Sequence, residues 1–203
     1  MADLIGHLRH SMQEIEKHPF EPFLPEEAVV LFLGSFPPQP KRWSMEFYYP
    51  NWLNDFWRVC GLVFFVDREH FVVPGEKRFD VELIKAFCTE KGMALFDTAT
   101  AVRRLQDNAS DKFLEVVEPT DITALLRRIP ACRAIVTTGE KATGVLVEKY
   151  GCAEPRVGQS TEICIDGRSL RFFRMPSTSR AYPLPLDRKA AAYETLFRAL
   201  NLV

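Results

Sequence analysis

Apolar positions cluster along this chain in short continuous runs separated by amphipathic stretches. Residues 28–36, Ala-Val-Val-Leu-Phe-Leu-Gly-Ser-Phe, form a β-branched and aromatic run. A run with no polar alternation suits a strand covered on both faces, so a central strand is predicted here. Three more strands follow by the same reading: 92–99 (Gly-Met-Ala-Leu-Phe-Asp-Thr-Ala), 132–139 (Cys-Arg-Ala-Ile-Val-Thr-Thr-Gly) and 170–179 (Leu-Arg-Phe-Phe-Arg-Met-Pro-Ser-Thr-Ser). Between them the apolar period changes to that of a helix. Leu4, Ile5, Leu8, Met12 and Ile15 predict a helix over 3–17, which Pro19, Pro22 and Pro25 terminate. A second helix is predicted to begin after Asn54, a good N-cap residue. Others precede Gly92, run from Thr120 or Asp121 to Pro130, and follow Gly139. The last starts near Asp187 and sets Tyr193, Leu196, Phe197 and Leu200 on one face.

Strands alternating with helices imply right-handed βαβ crossovers. The predicted fold is a single domain over 1–203, a three-layer α/β/α arrangement with a central four-stranded parallel sheet. Ligands bind such sheets beyond the carboxyl ends of the strands. Those ends are Gly34-Ser35-Phe36-Pro37, Asp97-Thr98-Ala99-Thr100, Thr138-Gly139-Glu140 and Pro176-Ser177-Thr178-Ser179-Arg180. Small polar residues converge there.

Composition narrows the class. With 203 residues and 47% apolar content, the chain is long enough to bury one real core. No run is apolar and long enough to span a membrane, and the charged N-terminal stretch lacks the apolar segment of a signal peptide, so cytoplasmic residence is expected. The five cysteines (Cys60, Cys88, Cys132, Cys152, Cys164) have no Cys-x-x-Cys spacing, which disfavours a disulfide framework or a zinc ribbon. His7, His10, His18 and His70 form no ligand constellation, so no metal is expected. A net charge of −1 excludes a strongly positive coat but leaves room for a local basic surface. Arg156, Arg168, Arg171, Arg174, Arg180, Arg188 and Lys189 gather in the C-terminal part.

The motifs familiar for phosphate binding are absent: there is no Gly-x-Gly-x-x-Gly after a strand and no Walker lysine loop. A Gly-x-Ser-x-Gly nucleophile elbow is missing too. Pro37 and Pro38 remove the backbone N–H donors that an anion nest needs. The turn after the first strand is therefore shaped for close packing beside a flat ligand. The aromatic segment that follows, Trp43 to Trp57, reads either as a core-lining loop or as a stacking platform, where one base contributes about 1–3 kcal/mol.

Leu33-Gly34-Ser35-Phe36-Pro37-Pro38, followed by Phe47-Tyr48-Tyr49-Pro50-Asn51-Trp52-Leu53-Asn54-Asp55-Phe56-Trp57, resembles the first motif region of the uracil-DNA glycosylase superfamily. The mismatch-specific and hypoxanthine-DNA glycosylase branches are the most similar. Met175 to Tyr182 resembles the Pro-Ser-rich loop that presses the DNA backbone in that superfamily. Ala94 to Arg104 sits where it places base-recognition residues. The resemblance implies a monofunctional DNA glycosylase that removes a flipped deaminated base, uracil or hypoxanthine, by water attack and leaves an abasic site. Branches with Gly-x-Asn-Pro-Gly position the water with that Asn; here the position is Phe36, and Pro38 replaces the second glycine. The branch that shares the Phe implies Asn54 as catalytic.

By the same resemblance Tyr49 stacks on the base and Asp97 reads its edge, with Gly34, Ser35 and Phe36 also lining the base site. Ser177, Thr178, Ser179 and Arg180 contact DNA, with Arg180 or Tyr182 near the gap left by the extruded nucleotide. No cofactor and no metal are implied, and the iron–sulfur branches need spaced cysteines that this chain lacks. The expected partner is DNA with a damaged or mismatched base, the expected state a monomer. Simpler roles stand beside these: Asn54 as a helix cap, Asp97 as a loop brace, Ser177 to Ser179 as an ordinary turn. The competing functional readings are a superfamily member that binds DNA or a nucleobase without excision, and a flavodoxin-like small-molecule enzyme, for which no cofactor signature is present.

Overall fold

The computed structural model describes residues 14–106 and 113–203. In chain order these form β1 (Ile15–Lys17), β2 (Val30–Gly34), α1 (Phe56–Phe65), α2 (Val81–Lys91), β3 (Met93–Asp97), β4 (Ala99–Arg104), β5 (Leu114–Pro119), α3 (Ile122–Arg128), β6 (Ala134–Thr138), α4 (Glu140–Tyr150), β7 (Gln159–Ile165), β8 (Arg168–Met175) and α5 (Leu186–Ala199). The central sheet has the order β3-β2-β6-β8-β7. Its first four strands are parallel and correspond to the four predicted ones, while β7 runs antiparallel to β8. The four-stranded parallel sheet is thus corrected to a five-stranded mixed one. The added strand is a hairpin partner of β8 through Asp166 and Gly167, both at positive φ (52° and 75°). Asp-Gly between two strand-like runs is the favoured two-residue hairpin turn.

The register shows why the sheet is covered on both faces. Phe32 of β2 packs on Phe56 of α1 (ring centroids 5.6 Å apart) and on Phe197 of α5 (6.1 Å). Leu33 is in register with Thr137 of β6, on the opposite face, and Thr137 Oγ1 lies 2.8 Å from Thr143 Oγ1 of α4. Helices therefore lie on both sides, as in the three-layer prediction. All five residues of β2, β3 and β6 are buried, which explains their lack of alternation.

A second sheet, β1-β4-β5, was not anticipated. It is antiparallel, and β4 leaves β3 after the single residue Thr98. Its small core comprises Phe36, Ala99, Val102 and Leu114, with Val116 against them. The helix predicted over 3–17 lies mostly outside the described residues, as do His7 and His10. Its last part is β1, with Ile15 opposite Arg103 and Lys17 opposite Ala101. His18, just before Pro19, is pushed from helical geometry toward extended backbone, and its amide donates to Thr100 O at 2.8 Å.

Four further contacts fix the helices near the strand ends. Helix α1 begins at Phe56, and Asn54 Oδ1 accepts from the Phe56 amide at 2.9 Å. Lys189 of α5, 1% exposed, places its ammonium 2.8 Å from Asp55 Oδ2 and 3.0 Å from Ser179 O. The Asp55 amide donates to Thr178 O at 2.9 Å. The start of α1, the loop after β8 and α5 are thereby tied at one buried ammonium. Removing one partner of a buried pair leaves the other uncompensated. Lys189→Ala is expected to lower unfolding free energy by about 3 kcal/mol, measured by urea denaturation.

Candidate functional site

The carboxyl ends of β2, β3, β6 and β8 surround a cavity of about 110 Å³. That is on the scale of the roughly 150 Å³ engineered cavity that admits one benzene ring. Of the residues singled out in the sequence, Gly34, Ser35, Phe36, Tyr49, Asn54, Asp97, Ser177, Thr178 and Ser179 all line it. Arg180 does not; it is exposed beyond the rim. Pro37 and Pro38 of the turn also line it, with Phe20, Tyr48, Pro50, Asn51, Arg104 and Thr138. A wider open groove lies against it and shares Ser177 and Ser179, with Lys141, Arg174 and Tyr182 on its sides.

The floor is built around Asp97. Its Oδ2 lies 2.9 Å from His18 Nε2, and both side chains are sequestered, 4% exposed for His18 and 11% for Asp97. His18 Nδ1 lies 2.9 Å from Phe20 O, and the Phe20 amide reaches the same nitrogen at 3.2 Å. The imidazole sits among the rings of Phe96 (centroids 4.6 Å apart), Phe36 (5.3 Å) and Tyr48 (6.1 Å). The other carboxylate oxygen explains Gly34. A Cβ added at Gly34 would overlap Asp97 Oδ1, so β2 must end in a residue without a side chain. Thr98 Oγ1, one residue on, is buried without a hydrogen-bond partner.

The proline turn is held through its carbonyls, the only backbone polar groups a proline has. Pro37 O accepts from Arg104 at 3.2 Å and Pro38 O from Trp43 Nε1 at 2.6 Å. Arg104 is itself clamped by both carboxylate oxygens of Glu16, each at 3.0 Å. Phe36 lines the cavity but also anchors the small core of the second sheet.

Tyr49 has φ 53°, a left-handed conformation rare for an aromatic residue. It lays its ring on Phe56 (centroids 3.9 Å apart, planes 12° from parallel), and its hydroxyl lies 3.2 Å from Thr138 Oγ1. One face of Tyr49 is thus already stacked. Burial pushes the Tyr49 phenol well above its usual range; Thr138 draws it back slightly, and the Asp97 carboxylate adds to the rise. Tyr48, whose hydroxyl donates to Glu21 O at 2.8 Å, is raised by burial and then by Asp97 and Glu21. Both tyrosines are neutral donors at physiological pH.

Asn54 spends its Oδ1 on the Phe56 amide. The group it retains for a ligand is the Nδ2 amino, a donor. Ser177 Oγ accepts from the Ser179 amide (3.2 Å) and Ser179 Oγ from the Ala181 amide (3.3 Å), so both hydroxyl protons remain as donors. Thr178, 2% exposed, turns inward and braces α1 through its carbonyl. Sequence reasoning missed His18, Glu16 and Arg104 because they belong to the unanticipated sheet. The extended residue before Pro19 was the available signal for His18. Among the described residues, no three His, Cys, Asp or Glu side chains gather as a metal site would require. No described helix is long and apolar enough to cross a membrane.

Two outcomes test this geometry. Gly34→Ala is expected to cost about 1–3 kcal/mol, as overpacking does, in thermal or urea unfolding. Raising pH above about 10 is expected to destabilise the protein. There the unfolded tyrosines release protons that the folded ones retain, so the unfolded state binds fewer protons and stability falls. Tyr49→Phe should shallow that alkaline slope, read from denaturant midpoints between pH 8 and 11; an unchanged slope would contradict the burial of the Tyr49 hydroxyl.

Neither a protein-family model nor a curated protein matches this chain. Among solved structures, it is similar to the solution NMR structure of a putative uracil DNA glycosylase from Methanosarcina acetivorans. The TM-score is 0.62 and the identity 23%, with 93% of this chain and 99% of that one covered. The two chains share an α/β fold over nearly their whole lengths.

Proposed function

We propose that this protein is a monofunctional DNA glycosylase that hydrolyses the N-glycosidic bond of a flipped deaminated base, uracil or hypoxanthine, and leaves an abasic site. The observation that carries the reading is the cavity at the four strand ends, where an aromatic wall, a buried carboxylate and a side-chain amide meet. A flat base needs an apolar wall and a few polar groups at its edge, which Tyr48, Tyr49, Phe36 and Asp97 can supply. The likeness in fold to the Methanosarcina protein supports the same reading.

Glycosidic cleavage develops positive charge on the sugar and negative charge on the departing base. An oxocarbenium-like sugar is so electrophilic that placing a water matters more than activating it. Asn54, with Oδ1 fixed on α1, would hold that water through Nδ2. Tyr49 and Thr138 share one hydroxyl proton between them, which leaves the pair one donor near the base, where negative charge grows. Ser177 and Ser179, with free hydroxyl protons, would grip the backbone on either side of the flipped nucleotide, and Arg180 would lie farther along the strand. Chemistry of this kind runs on side chains, with no cofactor.

A second reading is favoured by two specific features. Phe36 stands where an Asn positions the water in other branches, and Asn54 has its carbonyl oxygen engaged. The protein would then bind DNA or a nucleobase without cleavage. To separate the two, duplex and single-stranded oligonucleotides carrying uracil, hypoxanthine, xanthine or mismatched thymine are incubated with the protein and treated with alkali. Strand scission at uracil or hypoxanthine is expected, and Asn54→Ala should reduce it by about 100-fold or more while the protein stays folded. Retained DNA binding without scission at any lesion would replace the first reading by the second.

A further inference from the structure

Arg58 breaks two ordinary rules of placement. It stands in the first turn of α1, where the helix dipole favours an anion, and it is only 7% exposed. Burying a cation is costly unless its surroundings replace the lost water. The replacement here is specific. The guanidinium lies 4.3 Å from the centre of the Trp52 ring and 5.1 Å from that of Phe79, and the two rings are 5.2 Å apart. Its Nη1 donates to Trp52 O at 2.8 Å and, over a longer 3.4 Å, to Asn54 O. Its Nε lies 3.8 Å from Glu69 Oε1. Arg58 and Trp52 stand behind the cavity wall, whereas Asn51 and Asn54 line it.

The contacts of Arg58 bear on how Asn54 is held. The Asn54 amide donates to Asn51 O at 2.8 Å and the Leu53 amide to Asn51 Oδ1 at 2.9 Å, which closes residues 51–54 into a tight turn. That turn meets α1 at Asn54, whose Oδ1 takes the Phe56 amide. Arg58 fastens the turn to the helix from one turn farther along, through the carbonyls of Trp52 and Asn54. The far side of its slot comes from residues 66–80, which join α1 to α2 with no strand or helix of their own. A connection of that length usually has a task. This one supplies Glu69 and Phe79, and Phe79 is 1% exposed and bridged to Val72. We infer that Arg58 is a positioning residue: with Phe79 and Glu69 it holds the 51–54 turn against α1, and so fixes the direction in which Asn54 presents its Nδ2 amino group. The inference rests on the glycosylase reading and deepens it, since Asn54 is there the group that places the attacking water.

A water held by one amide is aimed only as well as the backbone of that amide is held. Misplacement by about 1 Å can lower a rate by about 100-fold. An ammonium would keep the charge at this position, but it has no plane to lie between two rings and no fork to span two carbonyls. Arg58→Lys should therefore retain only part of the effect, and Arg58→Met should fill the slot without holding the turn. Because Arg58 acts through Asn54, its loss should matter only while Asn54 is present, so the two losses do not add. A residue that only supports the fold would lower the rate by the same factor with or without Asn54.

Two measurements on the full chain test this. The first is single-turnover excision from a uracil or hypoxanthine duplex, with DNA affinity read separately by fluorescence anisotropy. Arg58→Met is expected to slow the bound complex by about 10-fold to 100-fold while Kd changes by less than about threefold, and Arg58→Lys should fall between it and wild type. In an Asn54→Ala background, Arg58→Met should cost less than about twofold more. The second needs no excision: 15N relaxation of the Asn54 side-chain amide, identified by its loss in Asn54→Ala. Its order parameter is expected near that of rigid backbone, about 0.85, in the wild type and below about 0.6 in Arg58→Met. Fully additive losses, a fall in affinity that accounts for the whole loss of rate, or an Asn54 amide as rigid in Arg58→Met as in wild type overturns the inference. Where Arg58→Met fails to fold, Arg58→Lys and Phe79→Leu carry the same comparisons. A wild-type protein that excises no base sinks the glycosylase reading, and the Asn54 order parameter still decides whether Arg58 fixes that amide. Excision with an Asn54 amide indifferent to Arg58 does the reverse.

Discussion

A carboxylate at the buried end of a strand is the constraint around which this molecule is arranged. Asp97 sits where β3 stops, beside three other strand ends, and an isolated charge there would be costly. Its partner comes from 79 residues earlier in the chain, because His18 leaves β1 in extended geometry and reaches back across the cavity floor. That reach requires β1 to pair with β4, and β4 is the direct continuation of β3 past Thr98. The second sheet thus exists at the same place as the charge it serves. Its small core is closed by Phe36, the residue that follows the β2 turn. Gly34 completes the set by leaving room for Oδ1.

The opposite wall depends on a charge of the other sign. Lys189 is almost fully buried and satisfied by Asp55 and by the Ser179 carbonyl. Asp55 neighbours Asn54, and Ser179 closes the loop after β8, so one ammonium fixes the spacing between two segments far apart in sequence. The third fixed edge is the proline turn, with carbonyls occupied by Arg104 and Trp43. Each of these walls is held by hydrogen bonds within the protein itself. The cavity selects by the groups it leaves unspent, which favours precision of fit over adaptability.

Much of the fold is legible in the chain because β2, β3 and β6 are buried on both faces and so read as unbroken apolar runs. The helices after Asp80 and Asp121 have side chains that accept from the first turn, and α2 and α4 stop at glycines in left-handed geometry. The second sheet is harder to read. β1 is short and mostly exposed, β5 alternates only weakly, and Arg103 and Arg104 of β4 resemble a solvated face until Glu115 and Glu16 are seen beside them. β7 is marked only by its Asp-Gly turn. Strand ends are visible in sequence, and Gly34, Ser35, Phe36, Asp97, Ser177, Thr178 and Ser179, all named from those ends, line one cavity. A partner such as His18 is not legible in the same way, because its role is set by a pairing 79 positions away and Pro19 signals only extended backbone there.

The uncommitted hydrogen-bonding capacity of the cavity is small and sorted by type. Asn54 retains a donor because its oxygen belongs to α1; Ser177 and Ser179 retain donors because their oxygens belong to the loop. Tyr49 stays a protonated phenol under the influence of burial. Against these donors stands the carboxyl group of Asp97, held by His18. A ligand complementary to the whole set is flat, carries one N–H and several acceptor atoms, and can gain negative charge near the donors. A flavin or nicotinamide would meet no phosphate cradle on this turn. The division of donors from acceptors follows from which atoms the fold consumes to hold itself together. In this protein, the internal hydrogen bonds that build the strand ends also determine what the strand ends can recognise.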